Sequence, residues 1–93
     1  MRITWDPRKA EENLRKHGVP FGEGKTVFND PLSRTIDDPD HSGDEDRFLL
    51  LGYSLQARCL IVSHCYRESD SMIRLISARC ATAHEEEEYW SFQ

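Results

Sequence analysis

The stretch from Ile73 to Thr82 constrains the fold most, because it changes from a strand-like to a helix-like pattern. Its first half has the bulky and β-branched apolar residues that are typical of a strand. Arg74 and Arg79 interrupt it, and since an unpaired arginine is costly to bury, they indicate an open sheet face. Thr82 and Glu85 then have the spacing of a helix capping box. The stretch therefore predicts a last strand that presents arginines, which bind phosphate well, before a terminal helix.

The rest of the chain predicts two helices ahead of a group of strands. Asp6 and Pro7 open the first helix and Gly18 ends it, and a weaker second helix runs from about Phe21 to Phe28. The predicted strands are Ile3 to Trp5, Arg34 to Ile36, Arg47 to Tyr53, Arg58 to Arg67 and Met72 to Ala78. Short links between the later strands favour an antiparallel meander. Helices grouped before and after this sheet favour an α+β fold.

Length and composition predict a small cytoplasmic protein. The chain has 93 residues, which predicts one domain over residues 1–93. Hydrophobic residues make up 38% and charged residues 31%, which excludes the disordered class. No apolar run is long enough to span a membrane and no export signal precedes the fold, so we expect no membrane partner. The three cysteines form no C-x-x-C pair, which favours reduced thiols.

The charge is distributed unevenly, and this decides whether nucleic acid is a possible ligand. The net charge of −5 disfavours a polyanion. However, residues 37–46 carry six acids and no base, and Glu85 to Glu88 add four more acids. Residues 47–81 carry five arginines against two acids. A basic face is therefore compatible with an acidic protein, because binding depends on the local field.

Several motifs occur in an order that is specific when taken together. They are Trp5-Asp6-Pro7, Lys16-His17-Gly18-Val19, Asp30-Pro31 and Ile76-Ser77-Ala78-Arg79. With them the chain resembles the BrnT family of toxins from bacterial type II toxin–antitoxin systems. The resemblance implies a RelE-like fold and an endoribonuclease that uses no metal or other cofactor. It also implies an RNA substrate and a cognate BrnA-like antitoxin, with which the toxin forms a hetero-oligomer.

Metal-free RNA cleavage by the ribose 2′-hydroxyl needs a base, an acid and cations that stabilise the charge on phosphate. We predict that Arg67 and Arg79 stabilise the reacting phosphate and that Arg47 and Arg74 bind RNA phosphates. Strand alternation places Arg79 on a face with Ser77 and Leu75, and places Arg74 on the opposite face if the strand is regular. Alternation alone leaves open which arginines share a cleft. A structural salt bridge to the acidic loop or to the terminal helix is also open to each arginine.

The candidates for proton transfer lie at the end of the first helix. Lys16 points outward and is the first candidate, with His17 as its close rival. His17 shares a helix face with Ala10 and Leu14, so a packing role is also open to it.

A metal site is not predicted. The polar residues of the acidic loop match neither an EF-hand nor a zinc motif. These residues are Asp40, His41, Asp44 and Glu45.

The rival interpretation is a non-catalytic protein-binding module of a toxin–antitoxin-like complex. An enzyme should gather at least three of its candidate cations in one cleft, whereas a binding module should scatter its arginines among carboxylates. The five cations concerned are Lys16, Arg47, Arg67, Arg74 and Arg79.

Overall fold

The computed structural model of the chain describes residues 2–37, 47–67, 69 and 71–93. Its helices are α1 (Pro7–His17), α2 (Phe21–Gly24) and α3 (Ala83–Ser91), with a 3₁₀ helix at Lys25–Asn29. Its strands are β1 (Arg2–Thr4), β2 (Arg34–Asp37), β3 (Arg47–Tyr53), β4 (Cys59–Arg67) and β5 (Met72–Cys80). The predicted α+β class and the predicted order of elements are confirmed. In the described ranges, no helix is long and apolar enough to cross a membrane.

The five strands form one sheet in the order β1-β5-β4-β3-β2. Strands β2 to β5 are an antiparallel meander, as predicted. The meander prediction gave no partner for β1, which lies parallel to β5 and makes the sheet mixed. This pairing sets Ile3 beside Ile73 and brings Ile3 against the core. The paired residues are 70 positions apart in the sequence, so no local pattern could indicate this parallel pairing.

The ends of α1 and α3 follow from the capping residues that the sequence contains. The Asp6 carboxylate accepts a hydrogen bond from the Arg8 backbone N–H at 2.8 Å, and Gly18 ends α1 with φ 70°. Thr82 and Glu85 form the predicted capping box at the start of α3. Leu14, which we expected on the apolar face of α1, is 49% exposed.

The predicted second helix is shorter than expected. α2 has only four residues, and the chain continues as the 3₁₀ helix. Close packing against the sheet explains why Gly24, a poor helix former, stands at this position. A Cβ atom there would lie 3.2 Å from the Ala78 Cβ and 3.7 Å from Val62 Cγ2. Glycine therefore lets α2 approach the sheet closely, and Phe21 is buried beside it.

The two faces of the sheet are covered unequally. α1, α2 and the 3₁₀ helix pack on one face and enclose the main core, which includes Val27, Leu60 and Leu75. On the opposite face, α3 forms a smaller cluster, in which Tyr89 packs with Leu51 and Ile61. The exposed part of this second face is therefore available for function.

The 3₁₀ helix and the turn that follows it pack closely on β3 at Gly52. A Cβ atom at Gly52 would lie 2.9 Å from Ser33 Cβ and 3.0 Å from both Asp30 Oδ2 and Val27 Cγ1. We expect Gly52→Ala to lower the free energy of unfolding by about 1–3 kcal/mol, as overpacked cores do. Urea denaturation followed by circular dichroism measures this effect.

Gly22→Ala is the matched control, because nothing lies within 4 Å of a Cβ atom at Gly22. In the helical backbone of α2 it should raise stability by about 0.4–1 kcal/mol. Equal unfolding midpoints for Gly52→Ala and the unaltered chain would contradict the close packing.

Candidate functional site

A β-bulge in β5 determines which arginines face the same way. Leu75 pairs with His64 and Ser77 pairs with Ser63, so Ile76 is an extra residue on β5. The bulge reverses the alternation beyond it. Leu75 therefore points into the main core, whereas Ser77 and Arg79 lie on the opposite face.

The condition under which Arg74 and Arg79 would point to opposite faces, a regular strand, is not met, because the bulge lies between them. Arg74 pairs with Cys65 and Arg79 pairs with Ile61, and these two partners are four residues apart on the regular strand β4. Paired residues on neighbouring strands share a face, and so do residues four apart on one strand. Arg74 and Arg79 consequently share a face because of the bulge.

We call the sheet face opposite α1 and α2 the arginine face. Strand register places six arginines on it. They are Arg2, Arg34, Arg47, Arg67, Arg74 and Arg79. The predictions named four of these six. Arg2 and Arg34 were missed because their facing depends on the partners of β1 and β2, and no signal in their own short segments reports those partners.

A cleft lies beside the arginine face, between α1 and the free edge of β5. We call it the α1–β5 cleft. It is lined by Lys9, Glu12, Asn13, Lys16, His17, Ile76 and Ser77. Both predicted proton-transfer residues therefore line the same cleft as the bulge residue Ile76. Ser77 belongs to the cleft and to the arginine face, where it lies between Arg74 and Arg79.

Asn13 holds α1 against this edge of β5. Its side-chain N–H groups donate to the backbone oxygens of Val19 at 2.9 Å and of Ala78 at 2.8 Å. Its side-chain oxygen accepts from the Ala78 backbone N–H at 3.0 Å. The amide thus pairs with both backbone groups of Ala78, where β1 no longer reaches along β5. Lys16 and His17 follow on the same helix, so this contact sets their position.

α3 modifies the arginine face at one end. The Arg79 guanidinium donates to both carboxylate oxygens of Glu85, at 2.8 and 2.9 Å. This hydrogen bond from Arg79 lowers the pKa of Glu85 to about 2, and the same contact raises the pKa of Arg79. Arg34 lies over the ring of Phe92, with its guanidinium carbon 3.1 Å from the ring centre.

The other predicted arginines lie toward the far end of the arginine face. Arg79 is opposite Ile61 on β4, and Ile61 is six residues from Arg67. At the rise of a strand, this places Arg67 and Arg79 about 20 Å apart. The structure therefore does not bring these two predicted phosphate-stabilising residues together. Arg67 lies instead near Arg47 and Arg74.

Residues that could hold a metal are sparse where the chain is described. The described residues contain no group of three histidine, cysteine or acidic side chains that could bind one. The four loop residues considered above, Asp40, His41, Asp44 and Glu45, lie outside the described residues. The absence of a metal and other cofactors stays a prediction.

Comparison with known proteins identifies the family of the chain and agrees with its fold. The family model described as the ribonuclease toxin BrnT of type II toxin–antitoxin systems matches residues 5–85. The chain belongs to the BrnT family. The resemblance predicted from the motifs is thus confirmed, and BrnT-family proteins are ribonuclease toxins whose systems include an antitoxin.

A solved structure supports the fold. The crystal structure of the Brucella abortus ribonuclease toxin BrnT matches with a TM-score of 0.69 and 21% sequence identity, over 88% of this chain and 97% of that one. At this identity the match shows the BrnT fold alone, and the wider RelE-like relation stays a prediction. No curated protein matches the chain significantly.

The Arg79–Glu85 pair predicts a pH dependence of stability. Glu85 has a folded-state pKa of about 2, below its ordinary value of 4.5. Its contribution should therefore be complete above about pH 5 and should disappear as the pH falls toward 2. We expect the stability of the unaltered chain to fall more between about pH 6 and pH 3 than that of Glu85→Gln.

Urea denaturation at the two pH values measures this difference. Glu87→Gln is the control, because Glu87 is an exposed acid on the same helix. It should keep the pH dependence of the unaltered chain. Equal pH dependence in Glu85→Gln and the unaltered chain would show that the pair contributes nothing to folding.

Proposed function

We propose that this BrnT-family toxin is an endoribonuclease that binds the phosphate to be cut at the mouth of the α1–β5 cleft. The observation that carries the proposal is the position of Ser77. It lies in the same cleft as Lys16 and His17, and it also lies on the arginine face between Arg74 and Arg79. Proton-transfer groups and phosphate-binding groups thus adjoin one another, as this chemistry requires.

The reaction follows from the groups available. The ribose 2′-hydroxyl attacks the adjacent phosphorus and gives up its proton, the bond to the 5′ oxygen breaks, and that oxygen takes up a proton. The products are a 2′,3′-cyclic phosphate and a 5′-hydroxyl. An imidazole both accepts and donates protons near neutral pH, which suits His17 to the 2′-hydroxyl. The Lys16 ammonium group is a proton donor, which suits it to the leaving oxygen.

Charge on the reacting phosphate is the third requirement. Arg74 and Arg79 flank Ser77 on β5, and guanidinium groups stabilise phosphate charge through paired hydrogen bonds. Arg79 already binds Glu85, so its position is fixed while part of its charge is neutralised. Arg74 is therefore the stronger candidate for direct contact, with Arg47 and Arg67 binding RNA farther from the cut bond.

The non-catalytic alternative has the carboxylate on Arg79 in its favour. Of the five candidate cations, the lining of the α1–β5 cleft includes Lys16 and none of the arginines, so the expected gathering of three cations in this cleft is not met. Against the alternative, strand register places the four arginines together on the adjoining face. Membership of a ribonuclease toxin family also favours the enzyme.

The direct test is cleavage of naked RNA by the purified chain in EDTA. We expect cleavage without added metal. Lys16→Gln and His17→Gln should each lower the rate by about 10²–10⁴-fold, the usual contribution of a proton-transfer group. Lys25→Gln removes one charge from an exposed residue on the other side of the sheet and should leave the rate unchanged. Activity that returns only with magnesium would contradict the mechanism.

The antitoxin that a type II system includes is proposed to be BrnA-like and to cover the arginine face from Arg67 to Arg79. Complementary charge would make association fast and selective. Because Glu85 already supplies carboxylate oxygens to Arg79, antitoxin carboxylates gain most at Arg67. Trp90 and Phe92, which are 55% and 62% exposed, offer an apolar docking patch beside it.

Co-expression with the adjacent gene product, followed by size-exclusion chromatography, tests this partner. We expect one complex in which RNA cleavage is suppressed, and a weaker complex for Arg67→Glu. Separate elution at micromolar concentration, or full cleavage by the complex, would exclude the proposed inhibition.

A further inference from the structure

Four arginines form a zigzag across the arginine face, one on each of four neighbouring strands. Met72 of β5 pairs with Arg2 of β1 on one side and with Arg67 of β4 on the other. Two residues farther along β5, Arg74 is level with Cys65, which pairs in turn with Arg47 of β3. We call Arg2, Arg74, Arg67 and Arg47, taken in strand order, the arginine row. Its successive members are diagonal neighbours, about 7–8 Å apart.

Three members of the row lack the carboxylate partners that two other arginines of the fold have. Arg58 binds the buried Glu23 at 2.6 Å and also donates to the Gly18 backbone oxygen at 3.2 Å, so it joins three segments of the fold. Arg79 binds Glu85. By contrast, Arg2, Arg67 and Arg74 pair with no carboxylate among residues 2–36, 47–67, 69 and 71–93.

The alignment of these three arginines on one face calls for a physical reason. Like charges about 7–8 Å apart repel one another and lower the stability of the folded state. The chain has 17 acidic residues against 12 basic ones, so carboxylates are plentiful. Three aligned cations that bind no carboxylate in the described part of an acidic protein indicate a polyanionic ligand.

We propose that the arginine row binds phosphates of the RNA strand on one side of the bond that is cut. The proposal rests on the proposed function and assigns a binding role to Arg2, which lies outside the catalytic set. Arg74 is three residues from Ser77 on β5, so the row begins about 10 Å from the α1–β5 cleft. An RNA strand that leaves the cleft and passes Arg74 next comes close to Arg67, with Arg2 and Arg47 on either side of its path.

The row favours single-stranded RNA that is long enough to fill it. It does not distinguish one base from another. Guanidinium contacts to phosphate position a strand and carry no sequence information. The chemistry also requires the 2′ oxygen to align opposite the leaving 5′ oxygen, and a linkage held in a paired helix resists that rotation. Affinity should therefore rise with strand length until the row is filled, and it should depend strongly on salt.

Binding of an uncleavable strand tests the row separately from catalysis. The probe is a fluorescent 2′-O-methyl RNA of about twelve nucleotides, read by anisotropy at several salt concentrations. For Arg2→Gln and Arg67→Gln we expect weaker binding and a salt slope reduced by about 0.7 for each phosphate that the variant no longer neutralises. Binding of a two-nucleotide probe should not change, because it does not reach past the cleft.

Matched variants separate direct phosphate binding from general charge. Lys25→Gln removes the same charge from the other side of the sheet and should bind the long probe as the unaltered chain does. Arg67→Lys keeps the charge and should retain most of the affinity. With cleavable RNA, Arg2→Gln and Arg67→Gln should raise KM and leave kcat at saturation unchanged, because neither residue is proposed to contact the reacting phosphate.

The outcomes distinguish this proposal from the proposed function. Unchanged binding of the long probe by Arg2→Gln and Arg67→Gln would overturn the row, even if Lys16→Gln abolishes cleavage. Weakened binding supports the row, even if the unaltered chain cuts no RNA and the proposed function fails. If the two variants bind RNA normally and fail to bind the antitoxin, the row is a partner surface and the proposal is wrong. An equal fall in affinity in Lys25→Gln would also overturn it.

Discussion

The contact between Asn13 and Ala78 is the one on which the candidate site depends. One side-chain amide serves both backbone groups of Ala78 where β1 has ended, and it also binds the Val19 oxygen beyond the end of α1. All three hydrogen bonds are buried, and a buried polar group left without a partner costs about 1–3 kcal/mol. The helix that carries Lys16 and His17 is thereby fixed to the strand that carries the arginines. A charged or apolar residue at position 13 would leave the edge of β5 unsatisfied.

The bulge in β5 complements that contact. Without the extra residue Ile76, a regular strand would place Arg79 and Arg74 on opposite faces, and one of them would enter the main core. With it, Ala78 faces the helices and Arg79 faces away from them. One inserted residue therefore serves packing on one side of the sheet and charge on the other. Bulges often re-aim side chains in this way next to functional sites.

The parts of the fold that depend on local chemistry could be predicted from the sequence. Asp6, Gly18 and Thr82 mark helix ends because each satisfies backbone groups within a few residues of itself. The antiparallel strands follow from short links. The parallel place of β1, the bulge and the facing of Arg2 and Arg34 depend on contacts between distant residues. The place of Gly24 in α2 depends on such a contact too, since the close approach that requires a glycine there involves Ala78.

The charge of Arg2, Arg67 and Arg74, which no carboxylate balances among the residues whose side chains the structure describes, links folding to ligand binding. Repulsion among these arginines is present in the free protein, and any polyanion seated on them relieves it. A ligand that binds only the folded chain adds about 2.7 kcal/mol of stability at a concentration one hundred times its dissociation constant. The free toxin is therefore less stable than the toxin with a bound polyanion. RNA, an acidic partner or a multivalent anion would each protect it from unfolding and proteolysis. The free energy of polyanion binding consequently determines both which ligand occupies the toxin and how long the folded toxin resists degradation.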